Sequence, residues 1–351
     1  MNVANRIASL DLLRGIPIAL VMARHAAPDL FPGAGVVGVV MFFSLSGYLI
    51  TGVLLRELDR TESVRLTHFY RRRALRLAPA MVAWLVGITL VTLALDPLHE
   101  RKLLGATWLV SLTWTANLPF RPVFSDAGFH LWTLATEEQF YLIWPALLLI
   151  GARLGQRWLA FAVAAVVSAG LLVATAYWFR NNPDQAYVLP TSWAICFVIG
   201  GLARWLTRGR ASTSARPPRG AVAWVVCGSA LLAGLAVLPL RGELTTYLVV
   251  GPLVAAVTAA LAQFTPHWPA VPRWADPLRR LGVISYAAYL WNYPLALWLR
   301  PYGWGGAVTA LLLTVVIATA SWRWVEEPVA RWQAKRWRQP APAPRRETVP
   351  W

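Results

Sequence analysis

The sequence predicts an all-α polytopic membrane bundle of about ten transmembrane helices. Three observations predict it. Hydrophobic residues make up 57% of the 351 and charged residues only 14%, the balance of a chain that meets lipid over much of its surface. Mean hydropathy is +0.50, and apolar stretches of about 20 residues, long enough for a bilayer core, recur along the chain. Lys and Arg gather in the short segments between those stretches, which is the positive-inside pattern. Many of the 20 tryptophans stand at stretch ends, as in an interfacial aromatic belt.

The elements follow in order. Stretch 8–27 carries Asp11, Arg14, Arg24 and His25, which no cleavable signal segment would, so it reads as a retained helix with polar content. Stretch 35–55 holds Gly38, Ser44, Ser46 and Gly47; small residues there predict close helix packing or a backbone opening that admits a ligand chain. Stretch 75–95 follows the loop HFYRRRALRLAP (68–79). Segment 103–118 is apolar but short. Stretch 132–151 encloses two adjacent acids, Glu137 and Glu138. Stretches 158–178, 187–207, 221–240, 245–264, 281–299 and 304–324 complete the set. Loop 208–220 is rich in Arg, Ser and Pro and reads as a flexible linker. The membrane domain is 1–332, and the Pro-rich, charged residues 333–351 read as a disordered cytoplasmic tail.

Charge decides the short segment. Basic residues cluster at 56–76, 151–157, 204–219, 273–280 and 331–339. If 103–118 does not cross, all five clusters fall on the side of the N-terminus, and both termini are cytoplasmic. Segment 103–118 then becomes re-entrant or interfacial on the outer face. The net charge of +17 would suggest a nucleic-acid binder in a soluble chain. Its distribution beside membrane spans argues for the lipid bilayer as partner and for no nucleic acid. Cys196 and Cys227 lie inside apolar stretches with no metal spacing, and read as small core residues.

Ionisable residues inside membrane helices are costly and mark function. Arg14 and His25 are eleven residues apart, so on a helix they share a face within roughly 20° and lie roughly 16 Å apart along the axis. Asp11, one turn from Arg14, is placed for an i,i+3 pair. Arg24 points about 100° away from His25 and is expected to snorkel to the outer interface. His25 itself is either part of a polar stripe or a residue meeting headgroups at a helix end. Glu137 and Glu138 diverge by about 100°, so one faces a site and the other bonds within the bundle. Tyr141, one turn on, is within reach of Glu137. Counting depth from the helix ends puts His25 and Glu137 within roughly 5–8 Å of one level. Arg71, Arg72, Arg73 and Arg76 read either as a topology signal binding anionic lipid or as a phosphate-binding cluster for an anionic cofactor.

The motifs together resemble the acyltransferase 3 family, integral membrane enzymes that move acyl groups from acyl-CoA to hydroxyl groups. The resemblance rests on LDLLRGIPIALVMARHA (10–26), FFSLSGYLITGVLLRE (42–57), FYRRRALRLAPA (69–80), HLWTLATEEQFYLIWP (130–145), LGVISYAAYLWNYPL (281–295) and SWRWVEEPVARW (321–332). They stand in the family's order and span nearly the whole chain. Thr133 replaces the family's usual Ser, Val40 its frequent Asp, and Asn292 and Tyr293 follow Trp291 where His or Trp is common.

The resemblance implies a ten-helix, multi-pass protein of the inner (cytoplasmic) membrane. Its catalytic residues would be His25, Glu137 and Arg14, with Glu137 orienting the His25 imidazolium. Acyl-CoA would be the donor, with no metal, bound through Arg72, Arg73, Arg76 and Arg14. Glu138, Tyr141 and Asn292 are candidate substrate-binding residues. The acceptor would be a hydroxyl-bearing glycan or glycosylated small molecule, and acetyl is the leading acyl group. Some members carry a further extracytoplasmic hydrolase-like domain; none is expected within residues 1–351, and the expectation is transfer by the bundle alone. A proton-coupled transporter of a polar solute is the rival class, since His and Glu in a bundle also relay protons.

Overall fold

The computed structural model describes residues 8–208, 220–264 and 271–336. Most of the expected linker at 208–220 and of the expected tail at 333–351 lies outside the described residues. Among the described residues every regular element is helical: α1 (Ala8–Ala26), α2 (Ala34–Thr61), α3 (Leu66–Ala94), α4 (Leu104–Thr113), α5 (Leu131–Arg153), α6 (Arg157–Trp178), α7 (Ala194–Leu206), α8 (Ala221–Ala236), α9 (Gly251–Phe264), α10 (Asp276–Val283), α11 (Ser285–Leu299), α12 (Gly303–Ser321) and α13 (Glu327–Arg336). A π-helical turn, Thr246–Val250, leads into α9, and another, Trp322–Glu326, joins α12 to α13.

Among the described residues, five helical stretches are long and apolar enough to cross a membrane: α2, α3, α6, Thr246–Phe264 and the run Ser285–Arg336. The last is not one rod. A 3-10 turn at Arg300–Tyr302 and a left-handed Gly303 (φ +57°) reverse the chain, and Asn292 meets Thr314 across the resulting antiparallel pair. Leu90, Val166 and Val316 on α3, α6 and α12 stay exposed, an outward apolar surface that suits lipid.

Helix α2 is the axis of the bundle. Buried residues make up 72% of its apolar window, against 22–44% in the other four stretches, and it packs on α1, α5, α7, α8 and α9. Missing side chains allow this. A Cβ on Gly47 would stand 2.0 Å from the Phe197 carbonyl oxygen, and one on Gly200 2.0 Å from that of Ser44. Helices α1 and α10 cross in the same way, with Gly15 on the Leu278 carbonyl and Gly282 on that of Asp11. Polar bonds lock the seam: Ser44 donates to the Ala255 carbonyl (2.7 Å), and the Trp144 indole N–H to Thr51 (2.8 Å). Of the two readings of 35–55, close packing is the one realised, because α2 is unbroken from Ala34 to Thr61.

Element boundaries depart from the hydropathy windows at several points. Helix α3 begins at Leu66, so Arg71–Arg76 occupy its first turns rather than a loop; Arg is a good helix former and needs no apolar setting. Stretch 187–207 starts as turns because Pro190 supplies no N–H, and only Ala194–Leu206 is α-helical. Stretch 281–299 breaks at Ile284. Asp276, the first residue of α10, is held below the usual carboxylate range by hydrogen bonds from Arg279 and Arg280, each 2.6 Å. Segment 103–118 yields α4, with 10 residues, or roughly 15 Å, too short to cross. It lies beside the end of α3, where the Trp108 indole N–H donates to Thr89 (2.9 Å). Helix α13 continues to Arg336, past the boundary expected at 332.

Candidate active site

The chemistry-bearing side chains divide between two levels of the bundle. The deeper level belongs to the paired glutamates. Glu138 is gripped by the Arg73 fork, with Nε 2.8 Å from each carboxylate oxygen and a terminal nitrogen 2.5 Å from one of them. Glu137 lies 3.6 Å from the same guanidinium and accepts from the Ser46 hydroxyl (2.5 Å) and the Tyr141 hydroxyl (2.6 Å). The Arg73 guanidinium also covers the Tyr141 ring, 3.2 Å from its centroid. One arginine from α3 thus compensates two acids from α5, and α2 contributes Ser46. Unpaired, each carboxylate would cost several kcal/mol (on the order of 3–5) in this setting.

Around this knot are the other arginines. Arg14 donates to the Ser285 hydroxyl (3.2 Å), and no ion pair forms between Asp11 and Arg14. Arg76 is exposed and lies within electrostatic reach of Arg14, Arg73 and Glu137. Among the described residues it has no hydrogen bond or salt bridge. Arg72 is exposed as well, one helical turn before Arg76.

The second level lies at the far end of the bundle, where α1 finishes and α2 begins. A cavity of about 260 Å³ opens there, bordered by α1, α2, the start of α5, and α11. His25 lines it. Its Nδ1 is 2.6 Å from the Asn292 side-chain oxygen. Asn292 is buried and gives its amide N–H to Thr314 (3.3 Å), whose own hydroxyl proton goes to the Ala310 carbonyl (2.6 Å). This chain of donors assigns the Asn292 oxygen to His25, so Nδ1 carries the proton and Nε2 keeps its lone pair. Nε2 has no protein partner among the described residues.

The expected contact between His25 and Glu137 is therefore not made. Each already has its partners, and the two sit on different levels. His25 is one residue from the end of α1 and Glu137 almost two turns inside α5, so the level difference of roughly 5–8 Å expected from helix rise remains as a separation, and no side chain bridges it. The residue that meets His25 at its own level is His130, which directly precedes α5. The Tyr293 ring packs against both imidazoles, its centroid 5.2 Å from each. His130 is 4% exposed, faces the cavity, and neither of its ring nitrogens meets a hydrogen-bond partner, although the backbone of Ala127 and Leu290 is near. A signal for it was present: His130 and Glu137 are seven residues apart, the same face of one helix within roughly 20°. Thr133 connects the levels. Its hydroxyl is 2.5 Å from that of Tyr289, and it stands one turn above Glu137.

Arg24 also departs from expectation. Instead of turning to the interface it lines the cavity beside His25, its stem laid against Gly35, where a Cβ would come 3.1 Å from its Cγ.

Residues 7–323 match the family model described as an acyltransferase domain. The chain belongs to the acyltransferase 3 family. Among relatives of this acyltransferase 3 chain is the peptidoglycan O-acetyltransferase OatA of Listeria monocytogenes, 27% identical over 93% of the chain and 56% of the relative. Another is the O-acetyltransferase OatA of Staphylococcus aureus, 26% identical over 92% of the chain and 57% of the relative. The chain thus spans a little over half the length of these curated relatives. No solved structure matches it. Among the described residues no group of three His, Cys, Asp or Glu is placed to hold a metal ion.

Proposed function

We propose that this acyltransferase 3 chain is a membrane O-acyltransferase that moves an acyl group, acetyl foremost, from cytosolic acyl-CoA to a hydroxyl of a sugar-containing acceptor. The observation that carries the reading is His25, which lines a cavity with one nitrogen tied to Asn292 and the other without a partner among the described residues. That is the posture of a general base. Membership of the family supports acyl transfer over the rival transporter, and the names of the relatives support a glycan as acceptor.

The chemistry is written from these residues. Nε2 takes the acceptor hydroxyl proton as its oxygen attacks the thioester carbonyl. The tetrahedral intermediate collapses, the C–S bond breaks, and the imidazolium returns its proton to the leaving thiolate. Asn292 keeps the ring in the required tautomer, as an orienting amide or carboxylate does in hydrolytic triads. In this reading Glu137 and Glu138 are positioning residues: they fix Arg73, and with it the junction of α2, α3 and α5. The donor's phosphates meet Arg72 and Arg76, because the Arg73 fork is already committed to Glu138. Arg14 is next along α1, and its separation from His25, roughly 16 Å, is the path for the donor's thiol arm. With the basic end cytoplasmic, the bundle has ten passes in the inner membrane, and the acyl group reaches the acceptor from the opposite side.

The test is purified protein in nanodiscs with acetyl-CoA and cell-envelope glycan, following free thiol. His25→Ala is expected to insert normally and release no thiol above background, while Arg76→Gln raises the KM for acetyl-CoA by about tenfold or more, the loss of one charge-assisted bond. Undiminished turnover in His25→Ala would end the assignment. An unchanged KM in Arg76→Gln would return that cluster to topology alone.

A further inference from the structure

The His25 cavity has a charge that acyl transfer alone does not require. Three arginines line it, Arg24, Arg241 and Arg300, and no carboxylate does. Arg24 lies within electrostatic reach of both others. Only Arg241 has an acid: Asp184, at 2.6 and 3.0 Å, which raises it above the ordinary guanidinium value. Asp29 is near Arg24 but forms no salt bridge with it. Arg300 has no ion pair among the described residues. Two cations thus border one small cavity without an ion pair among the described residues, and His130, buried beside them, lines it with both ring nitrogens lacking a hydrogen-bond partner.

Like charges gathered without counter-charge destabilise a fold unless something anionic joins them. Guanidinium forks suit carboxylate and phosphate oxygens. The walls carry tyrosines, including Tyr187 with the Arg241 guanidinium 4.8 Å above its ring, and amphipathic rings of that kind pack on sugar faces while bonding their hydroxyls. Resting on the proposed transferase reading, we infer that the acceptor is an anionic sugar, carboxylated or phosphorylated, whose negative group is held by Arg24 and Arg300 while its hydroxyl meets His25.

The experiment measures binding to the full chain in zwitterionic phosphatidylcholine nanodiscs. The probes are N-acetylglucosamine, N-acetylmuramic acid, which adds a carboxylate-bearing arm, and N-acetylglucosamine 1-phosphate. At least one anionic probe is expected to bind about tenfold or more tighter than the neutral sugar. Arg24→Gln and Arg300→Gln should each remove most of that advantage without changing neutral-sugar affinity, and His25→Ala should keep it. Equal affinity for all three probes, no saturable binding of either anion, or a preference that survives both substitutions overturns the inference. So does loss of the preference when phosphatidylglycerol is added at cellular proportion, which assigns the arginines to lipid headgroups. Thiol release distinguishes the two readings: anion binding without acetyl transfer sinks the transferase, whereas transfer with no charge preference sinks only the anionic acceptor.

Discussion

At the scale of single residues, the site turns on an asparagine. His25 could be picked out of the sequence because a histidine eleven places from an arginine shares its helical face. Asn292 could not be assigned its role, since nothing local says that an amide on α11 meets α1 across 267 positions of chain. The sequence suggested a carboxylate for the task, and Glu137 was the nearest candidate; Glu137 is occupied by Arg73, Ser46 and Tyr141. A neutral partner fixes the tautomer of the imidazole without adding charge to a cavity that already has three arginines. Asn292→Leu is expected to lower kcat by about 10²–10⁴ with little change in the KM for acetyl-CoA. A matching loss of acetyl-CoA affinity would show that the asparagine acts on substrate instead. The resolution of the two acids was half legible: that they face different ways follows from helix geometry, but that one arginine serves both does not.

At the scale of elements, hydropathy located the long helices well and their ends poorly. Windows register lipid-facing residues, so they miss the basic first turns of α3 and overrun Pro190 ahead of α7. Small-residue seams were visible as composition but not as pairs. Gly47 and Gly200 stand 153 positions apart in the sequence, and only the crossing of α2 with α7 reveals that each makes room for the other's backbone. Gly47→Leu must push α7 away by more than a side chain can absorb. Overpacking of this kind costs about 1–3 kcal/mol or more, so a clear fall in the thermal midpoint of the detergent-solubilised protein is expected. Gly105, which has open space around it, is the control: Gly105→Ala should leave the midpoint within error. Equal midpoints for the two variants would mean the seam is not a stability determinant.

At the scale of the molecule, α1 joins two cationic zones, one of Arg14 and Arg76 around the knot of paired glutamates and Arg73, and one of Arg24 and Arg300 at the His25 cavity. The sequence made the near zone plain as a run of arginines. The far zone is assembled from α1, a loop and the end of α11, and no window of sequence contains it. Helix α2, on which α1, α5, α7, α8 and α9 pack, has a consequence for the order in which the protein is made. The chain is synthesised from its N-terminus, yet the carbonyl that Ser44 seeks belongs to a residue 211 positions later. At ~5–20 residues per second, α2 waits about 10–40 s for α9. Through that interval its glycine and serine seam faces lipid or whatever the insertion machinery provides. Its own hydropathy of 2.0 lets it enter the bilayer unaided, so entry and docking become separate events. A chain stopped after α6 is expected to insert α2 but leave Gly47→Cys open to a lipid-phase thiol reagent. Protection of that cysteine in the shortened chain would mean that α2 finds shelter before its partners exist.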